Sequence, residues 1–309
     1  MIFFLKLGGG LRASLLFFLS CLFSFSGVCF AECLDIPSDQ IIGENHYIRV
    51  QKGDTFVSIA KKYGVGYEQL SAANPRVDGL KPLENAVVLV PSQIIIPPVK
   101  HEGIVINLSQ MRLFYFPPKS HKVCTYPVGI GQVDWQTPVG HLRIIQKIKN
   151  PVWTVPDSIM AYRKARGEEI QKHVPSGPKN PLGYFALRLS KPTYLIHGTN
   201  EDESIGRRSS AGCVHLFNQD IEDLFHRVHP GVSVNIINMP FLFAKKDGVT
   251  FFSAFPLLKE QKDQWTSDDI ESMLRDGLKK MSSNESIDLA LSDALSTISE
   301  PTGVVIQLR

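Results

Sequence analysis

Ile205-Gly206-Arg207-Arg208-Ser209-Ser210-Ala211-Gly212-Cys213-Val214-His215-Leu216 places Cys213 sixteen residues after His197, within Tyr194-Leu195-Ile196-His197-Gly198-Thr199-Asn200. The two residue types together point to a cysteine nucleophile and its base. A thiol attacks as thiolate, and an imidazole in contact lowers the thiol pKa and supplies the proton that a leaving amine needs. Gly212, directly before the cysteine, lets a bulky acyl donor approach the backbone with no Cβ in the way. A metal reading of His197, Cys213, His215 and His226 fails on ligand count and on the absence of a close Cys-x-x-Cys or His-x-x-x-His pair.

The N-terminus gives the compartment. Lys6 and Arg12 flank a basic start, Leu15 to Phe25 is almost wholly apolar, and Ser24, Ser26 and Gly27 precede Ala31. This pattern predicts a secretory signal peptide over residues 1–31, cut after Ala31, with a retained anchor as the alternative. Its removal leaves 31 basic against 30 acidic residues, a net charge of +1. Such a balance, with no block of like charges, argues against a nucleic-acid partner. Of the five cysteines, Cys33, Cys124 and Cys213 remain, and an odd count in an exported chain leaves a free thiol, which suits Cys213. Cys33 and Cys124 can pair, or Cys124 can be a small buried hydrophobe in a strand.

Residues 45–92 form a compact unit. Tyr47 to Val50 reads as a strand, Gly53-Asp54-Thr55 as a turn that caps a helix carrying Ile59, Ala60 and Tyr63, and Tyr67 to Ala73 as a second helix. Asn74-Pro75 stops that helix, and Val87 to Pro91 returns as a strand. This βααβ stretch resembles the LysM module. The resemblance implies binding of N-acetylglucosamine-containing glycans, peptidoglycan among them, with Gly53, Asp54, Thr55 and Asn74 to Val77 near the groove.

After Pro97-Pro98, read as a stiff joint, residues 101–240 are strand-rich. Ile104 to Leu108 and Arg112 to Phe116 suggest a hairpin about Ser109-Gln110, and Lys122–Gly129, Gly140–Ile148, Gly183–Leu189, Thr193–Ile196 and the alternating Val232, Val234 and Ile236 suggest further strands. One short helix is expected after Asn218, its apolar face marked by Ile221, Leu224, Phe225 and Val228. The predicted fold class is therefore mainly β, a sandwich with one short helix, joined to the small βααβ unit. Several ordered motifs, Pro127-Val128-Gly129-Ile130-Gly131, Thr137-Pro138, Pro151 to Pro156, Pro175 to Gly183, Ile196 to Asn200, Ile205-Gly206 and Ser210 to Leu216, resemble the L,D-transpeptidase catalytic domain of the YkuD type, in its Gram-negative envelope branch.

That resemblance implies a nucleophile at Cys213, a base at His197 and a main-chain carbonyl at Gly198 that orients the histidine. It implies attack on the L-centre carbonyl of a tetrapeptide stem, a thioester, and transfer to an amine: a diaminopimelate side chain in a 3-3 crosslink or an envelope-lipoprotein lysine. It brings no metal and no organic cofactor. Backbone N–H groups about Ala211, Gly212 and Cys213 would hold the oxyanion. Arg208, Ser210, Gly212 and His215 are the expected substrate contacts; His215 stands where an arginine is usual, so its charge would depend on pH. The alternatives are a carboxypeptidase that uses water and a noncatalytic peptidoglycan-binding protein. Trp153, Tyr162 and Tyr184 border the donor site or belong to the core, Asn180 and Gly177 shape the cleft or turn the chain, and His226 and His229 complement a helix dipole. Residues 241–309 read as a C-terminal extension, a hairpin about Asp247-Gly248 followed by helical stripes at Ile270 to Leu278 and Ile287 to Leu295, with no visible chemistry. The expected location is the periplasm, at the cell wall.

Overall fold

The computed structural model describes residues 33–169, 171–281 and 287–309, so the signal-peptide expectation lies outside the described residues. No described helix is long and apolar enough to cross a membrane. Strand β1, Leu34–Asp35, precedes the βααβ unit, in which β2 (His46–Arg49) pairs antiparallel with β3 (Val87–Val90) around α1 (Phe56–Tyr63) and α2 (Tyr67–Ala73). Thr55 and Ser58 form a reciprocal capping box at the start of α1, and Gly64 ends it in the left-handed region at φ 63°. Phe56, Ile59, Val65, Leu70, Val88 and Val90 fill its core; complete burial of Phe56 alone is worth about 2 to 3 kcal/mol. Asn74 is turned inward, donating to the Leu70 and Leu89 carbonyls and accepting from Leu89 N–H, each at 2.8 Å. It therefore braces the return strand rather than lining a groove.

The main sheet continues with β4 (Gly103–Asn107), β5 (Arg112–Phe116), β6 (Lys122–Pro127), the short β7 (Ile130–Gly131) outside it, β8 (Gly140–Lys149), helix α3 (Asp157–Ala165), β9 (Phe185–Leu189) and β10 (Leu195–His197). Then come β11 (Arg208–Ser210), β12 (Val214–His215), α4 (Asn218–Arg227) and β13 (Ser233–Ile237). The sheet has nine strands in the order β1-β6-β5-β4-β13-β8-β9-β10-β12, and β11 pairs parallel with β7 beside it. Ile104, Ile106, Leu113 and Tyr115 face one core with α4, and Val105, Phe114 and Phe116 face another with Ile42, Ile94 and Ile96. Burial on both faces explains why these strands read as unbroken apolar runs. A disulfide joins Cys33 to Cys124 and ties the chain before β1 to β6. Two local details differ from the sequence reading. Helix α3 buries no side chain, which left it without a periodic signal, and Asn218 is the first residue of α4, its amide donating to Thr199 O at 2.7 Å instead of capping the helix.

The C-terminal stretch forms a hairpin of β14 (Phe241–Lys246) and β15 (Val249–Ala254), with Asp247 and Gly248 both at positive φ, covered by α5 (Ser267–Met281) and α6 (Ile287–Ser299) and closed by β16 (Ile306–Gln307). Its core of Phe252, Leu274, Leu278 and Leu291 adjoins a second cluster in which Leu242, Ala244 and Phe255 meet Ile41 and Ile95.

The α1–α2 turn docks on the segment before Cys213. The first turn of a helix leaves backbone N–H groups without intrahelical partners. In α2 those of Tyr67 and Glu68 donate to the carbonyls of Ile205 and Gly206, each at 3.3 Å. At the end of α1 the Gly64 carbonyl accepts from Arg112 at 3.1 Å. Gly66 and Gly206 touch so closely that a Cβ on Gly206 would lie 2.3 Å from Tyr67 N. Lys61 pairs with Asp202 at 2.6 Å, and the Arg207 guanidinium lies 3.7 Å from the Tyr67 ring centroid.

Candidate active site

Strand β10 lies between β9 and β12, antiparallel to the first and parallel to the second, which sets His197 opposite His215 and Ile196 opposite Val214. Cys213 is the residue just before β12 and so emerges beside the chain leading into β10. Its thiol donates to Thr193 O at 3.8 Å and is half-buried. It is the one free cysteine among the described residues.

His197 is 2% exposed, and its Nδ1 lies 2.6 Å from the Gly198 carbonyl. A carbonyl only accepts, so Nδ1 carries the proton and Nε2 is left with its lone pair, the tautomer of a general base. Burial lowers the His197 pKa to about 4, against the opposing pull of the Gly198 carbonyl. A Cβ at Gly198 would meet Asn218 Oδ1 at 2.2 Å, so a larger residue there requires the Asn218 side chain to shift. Burial pushes the Cys213 thiol up to about 11, with a backbone hydrogen bond from Leu195 working the other way. Burial thus favours the neutral thiol and the neutral imidazole at rest.

The loop before Cys213 is held from inside. Gly212, at φ 101°, donates its N–H to Ser210 Oγ at 3.1 Å, and Ser210 Oγ donates to the Cys213 carbonyl at 2.5 Å. A Cβ on Gly212 would lie 2.9 Å from the Tyr194 ring. Thr137, 7% exposed, donates to the Gly212 carbonyl and accepts from Gly131 N–H, both at 2.9 Å. No hydrogen bond among the described residues takes up Cys213 N–H. Ser210 Oγ shapes this turn, and Gly212 N–H is already engaged, leaving Cys213 N–H as the open donor.

The two charged candidates both have partners within the fold. His215 donates or accepts through Nδ1 with Ser204 Oγ at 3.2 Å and tilts against His197, ring centroids 4.6 Å apart. Burial and then the proximity of His197 hold its pKa well below the ordinary histidine value, which favours the neutral ring. Arg208 donates to Gly131 O through Nε at 3.0 Å and forks onto Glu260 at 3.0 and 2.6 Å. Three of its five N–H donors are thus engaged within the protein.

Beside the loop lies a cleft of about 580 Å³ lined by Trp135, Gln136, Pro156, Ile159, Thr193, Tyr194 and Ala211. Tyr162 reaches it through an edge-on contact with Trp135 at 5.1 Å. Trp153 instead pairs with Val174, and the Asn180 amide is spent on the carbonyls of Pro151, Val174 and Pro175, so it turns the chain.

Comparison with known proteins places this arrangement. The family model for the L,D-transpeptidase catalytic domain matches residues 101–236, and that for the LysM domain matches residues 48–91. The chain is 42% identical over 230 residues to the probable L,D-transpeptidase YcfS of Escherichia coli strain K12, covering 72% of each chain. The chain belongs to the L,D-transpeptidase family. Two more relatives from the same strain are the probable L,D-transpeptidase YbiS, 38% identical over 70% of this chain and 72% of the relative, and the probable L,D-transpeptidase ErfK/SrfK, 35% identical over 74% and 75%.

In this L,D-transpeptidase several residues at the site had no assigned role in the sequence. Thr137 stood in a quoted motif, and its buried hydroxyl between two backbone segments was the missing element. Ser204 and Tyr194 carry no chemical signature in one dimension. Glu260 lies in a stretch with no motif, more than forty residues from Cys213, so only the folded chain brings it to Arg208.

Proposed function

We propose that this L,D-transpeptidase acts on peptidoglycan, with residues 101–240 carrying the chemistry, residues 45–92 holding glycan, and the protein working in the periplasm after export. Cys213 Sγ attacks the L-centre carbonyl of a tetrapeptide stem while His197 Nε2 takes the thiol proton. The carbonyl π pair moves onto oxygen, and Cys213 N–H donates to that oxyanion; a donor aimed at developing charge is worth about 3 kcal/mol. Collapse expels the terminal D-residue as its amine, which receives the proton from His197. The stem is left as a thioester, and an acceptor amine then displaces Cys213 by the reverse sequence. With both groups neutral at rest, proton transfer accompanies attack instead of preceding it.

The observation that carries this reading is the buried His197, its Nδ1 fixed on the Gly198 carbonyl, one strand from a half-exposed cysteine whose own N–H is unengaged. The cleft of about 580 Å³ beside Ala211 is the candidate place for a stem. Acceptors of the proposed reaction are a diaminopimelate side chain and the lysine of an envelope lipoprotein; water as acceptor would make the enzyme a carboxypeptidase. Incubation of the protein with purified tetrapeptide muropeptides, with and without an added amine, followed by mass analysis tests the reading. Loss of the terminal D-residue together with amine incorporation is expected. Stems returned intact would leave the noncatalytic peptidoglycan-binding alternative.

A further inference from the structure

The stretch Lys259–Lys262, beyond the catalytic segment, presents Glu260 to Arg208, five residues before Cys213. The two side chains are 20% and 16% exposed, and the fork has two short hydrogen bonds. Pairing with Arg208 holds the Glu260 carboxyl below the ordinary value against the effect of burial, so the pair is charged at neutral pH. Such bidentate, mostly buried pairs fix geometry as well as contribute energy.

What Arg208 does with its Nε donor gives the pair its meaning. Its Nε holds the Gly131 carbonyl at 3.0 Å, Gly131 N–H donates to Thr137 Oγ1 at 2.9 Å, and Thr137 Oγ1 donates to the Gly212 carbonyl at 2.9 Å. Gly131 tolerates no side chain, since a Cβ would lie 2.2 Å from Trp135 O. The Gly212–Cys213 peptide is planar and trans, so a carbonyl held by Thr137 sends Cys213 N–H in the opposite direction. The orientation of that N–H is thus set by a relay that starts outside the catalytic segment.

We propose that Glu260 is a positioning residue of the reaction: through Arg208, Gly131 and Thr137 it fixes the Gly212–Cys213 peptide so that Cys213 N–H meets the oxyanion. This gives the C-terminal extension a part in catalysis, and it rests on the reading of Cys213 as nucleophile. A donor aligned for the tetrahedral species contributes in the transition state and little to ground-state binding, so its loss lowers kcat and spares KM.

The test compares the parent with Glu260→Ala, Glu260→Gln and Arg208→Lys on tetrapeptide stems, with Cys213→Ala as the blank. Glu260→Ala is expected to lower kcat about ten-fold at unchanged KM, in keeping with misalignment rather than deletion of a donor. Glu260→Gln, which keeps one acceptor for the fork, is expected to fall between Glu260→Ala and the parent, and it stands in if the alanine variant folds poorly. Glu260→Ala and Arg208→Lys combined should cost no more than the worse single change, because both break one relay. Amide hydrogen exchange over residues 128–138 and 208–216 gives a second readout that needs no turnover: faster exchange in both stretches is expected for Glu260→Ala. A parent with no turnover would count against the reading of Cys213, whereas unchanged kcat, or unchanged exchange in both stretches, overturns the role of Glu260 itself.

Discussion

The LysM unit and the C-terminal extension both reach the segment that carries Cys213, by different chemistry. The LysM unit makes a backbone contact: the N–H groups at the start of α2 are satisfied by Ile205 and Gly206, across a glycine–glycine approach. The extension makes a side-chain contact, the Arg208–Glu260 fork. A backbone contact of this kind has no tolerance for added volume and governs whether the units stay docked. A side-chain fork can be removed atom by atom and governs how the loop is aimed. The first should therefore fail as a loss of stability, the second as a loss of rate.

The largest effect expected is that of Cys213→Ala, with turnover on stems reduced by a factor of roughly 10³ or more and binding to sacculi retained, because the proposal assigns glycan binding to the LysM unit. Pull-down and muropeptide analysis on one preparation check both halves. Gly206→Ala comes next. Its φ of 76° and a Cβ 2.4 Å from Gly66 Cα make the substitution both strained and crowded, at a cost of about 2 to 4 kcal/mol. Thermal unfolding and limited proteolysis should show a lower Tm and an earlier cut between the LysM unit and the rest; a parent-like pattern would dissolve the contrast with Glu260.

Asp220 gives a smaller, pH-dependent effect beneath the same docking surface. Burial, then Asp223, raises its pKa from 3.8 to about 7, with Arg112, the residue that holds Gly64 O, as the first opposing cause. The folded state thus binds this proton more tightly than the unfolded one. The associated stability is complete below the unfolded value and is lost as pH rises through about 7. Melting curves of the parent should shift downward across that window, by on the order of a few kcal/mol at most, and Asp220→Asn should remove most of the slope. The smallest expected effect is on rate against pH. With His197 near 4 and Cys213 near 11, kcat/KM should run level from roughly pH 5.5 to 9. A fall centred near 6.5 would restore His215 as a titrating contact.

Much of this was legible in one dimension, for physical reasons that differ by region. The βααβ unit announces itself because its cap, its stop and its apolar positions all lie within a short stretch. The strands from Gly103 to Phe116 are legible because both of their faces are buried. The contact of His197 with the Gly198 carbonyl was legible because the orienting group is main chain, and Cys213 was a candidate by residue type alone. The internal partners of Arg208, His215 and Ser210 were not legible, for one shared reason. A polar side chain named in a motif can turn outward to a substrate or inward to the fold, and the choice depends on partners distant in the chain: Glu260 for Arg208, Ser204 and His197 for His215. Helix α3 escaped because it buries no side chain and so has no stripe to read.

The central claim is that Cys213 is the activated nucleophile, and acyl-enzyme trapping tests it most directly. The protein is incubated with a carbapenem, whose strained carbonyl accepts the same attack, and intact mass is followed by peptide mapping. Cys33 and Cys124 are joined in a disulfide, so among the described residues a thiol adduct has one expected address. The account predicts a single adduct on Cys213, absent in Cys213→Ala and formed much more slowly in His197→Ala. An adduct elsewhere, or one that survives Cys213→Ala, would contradict it.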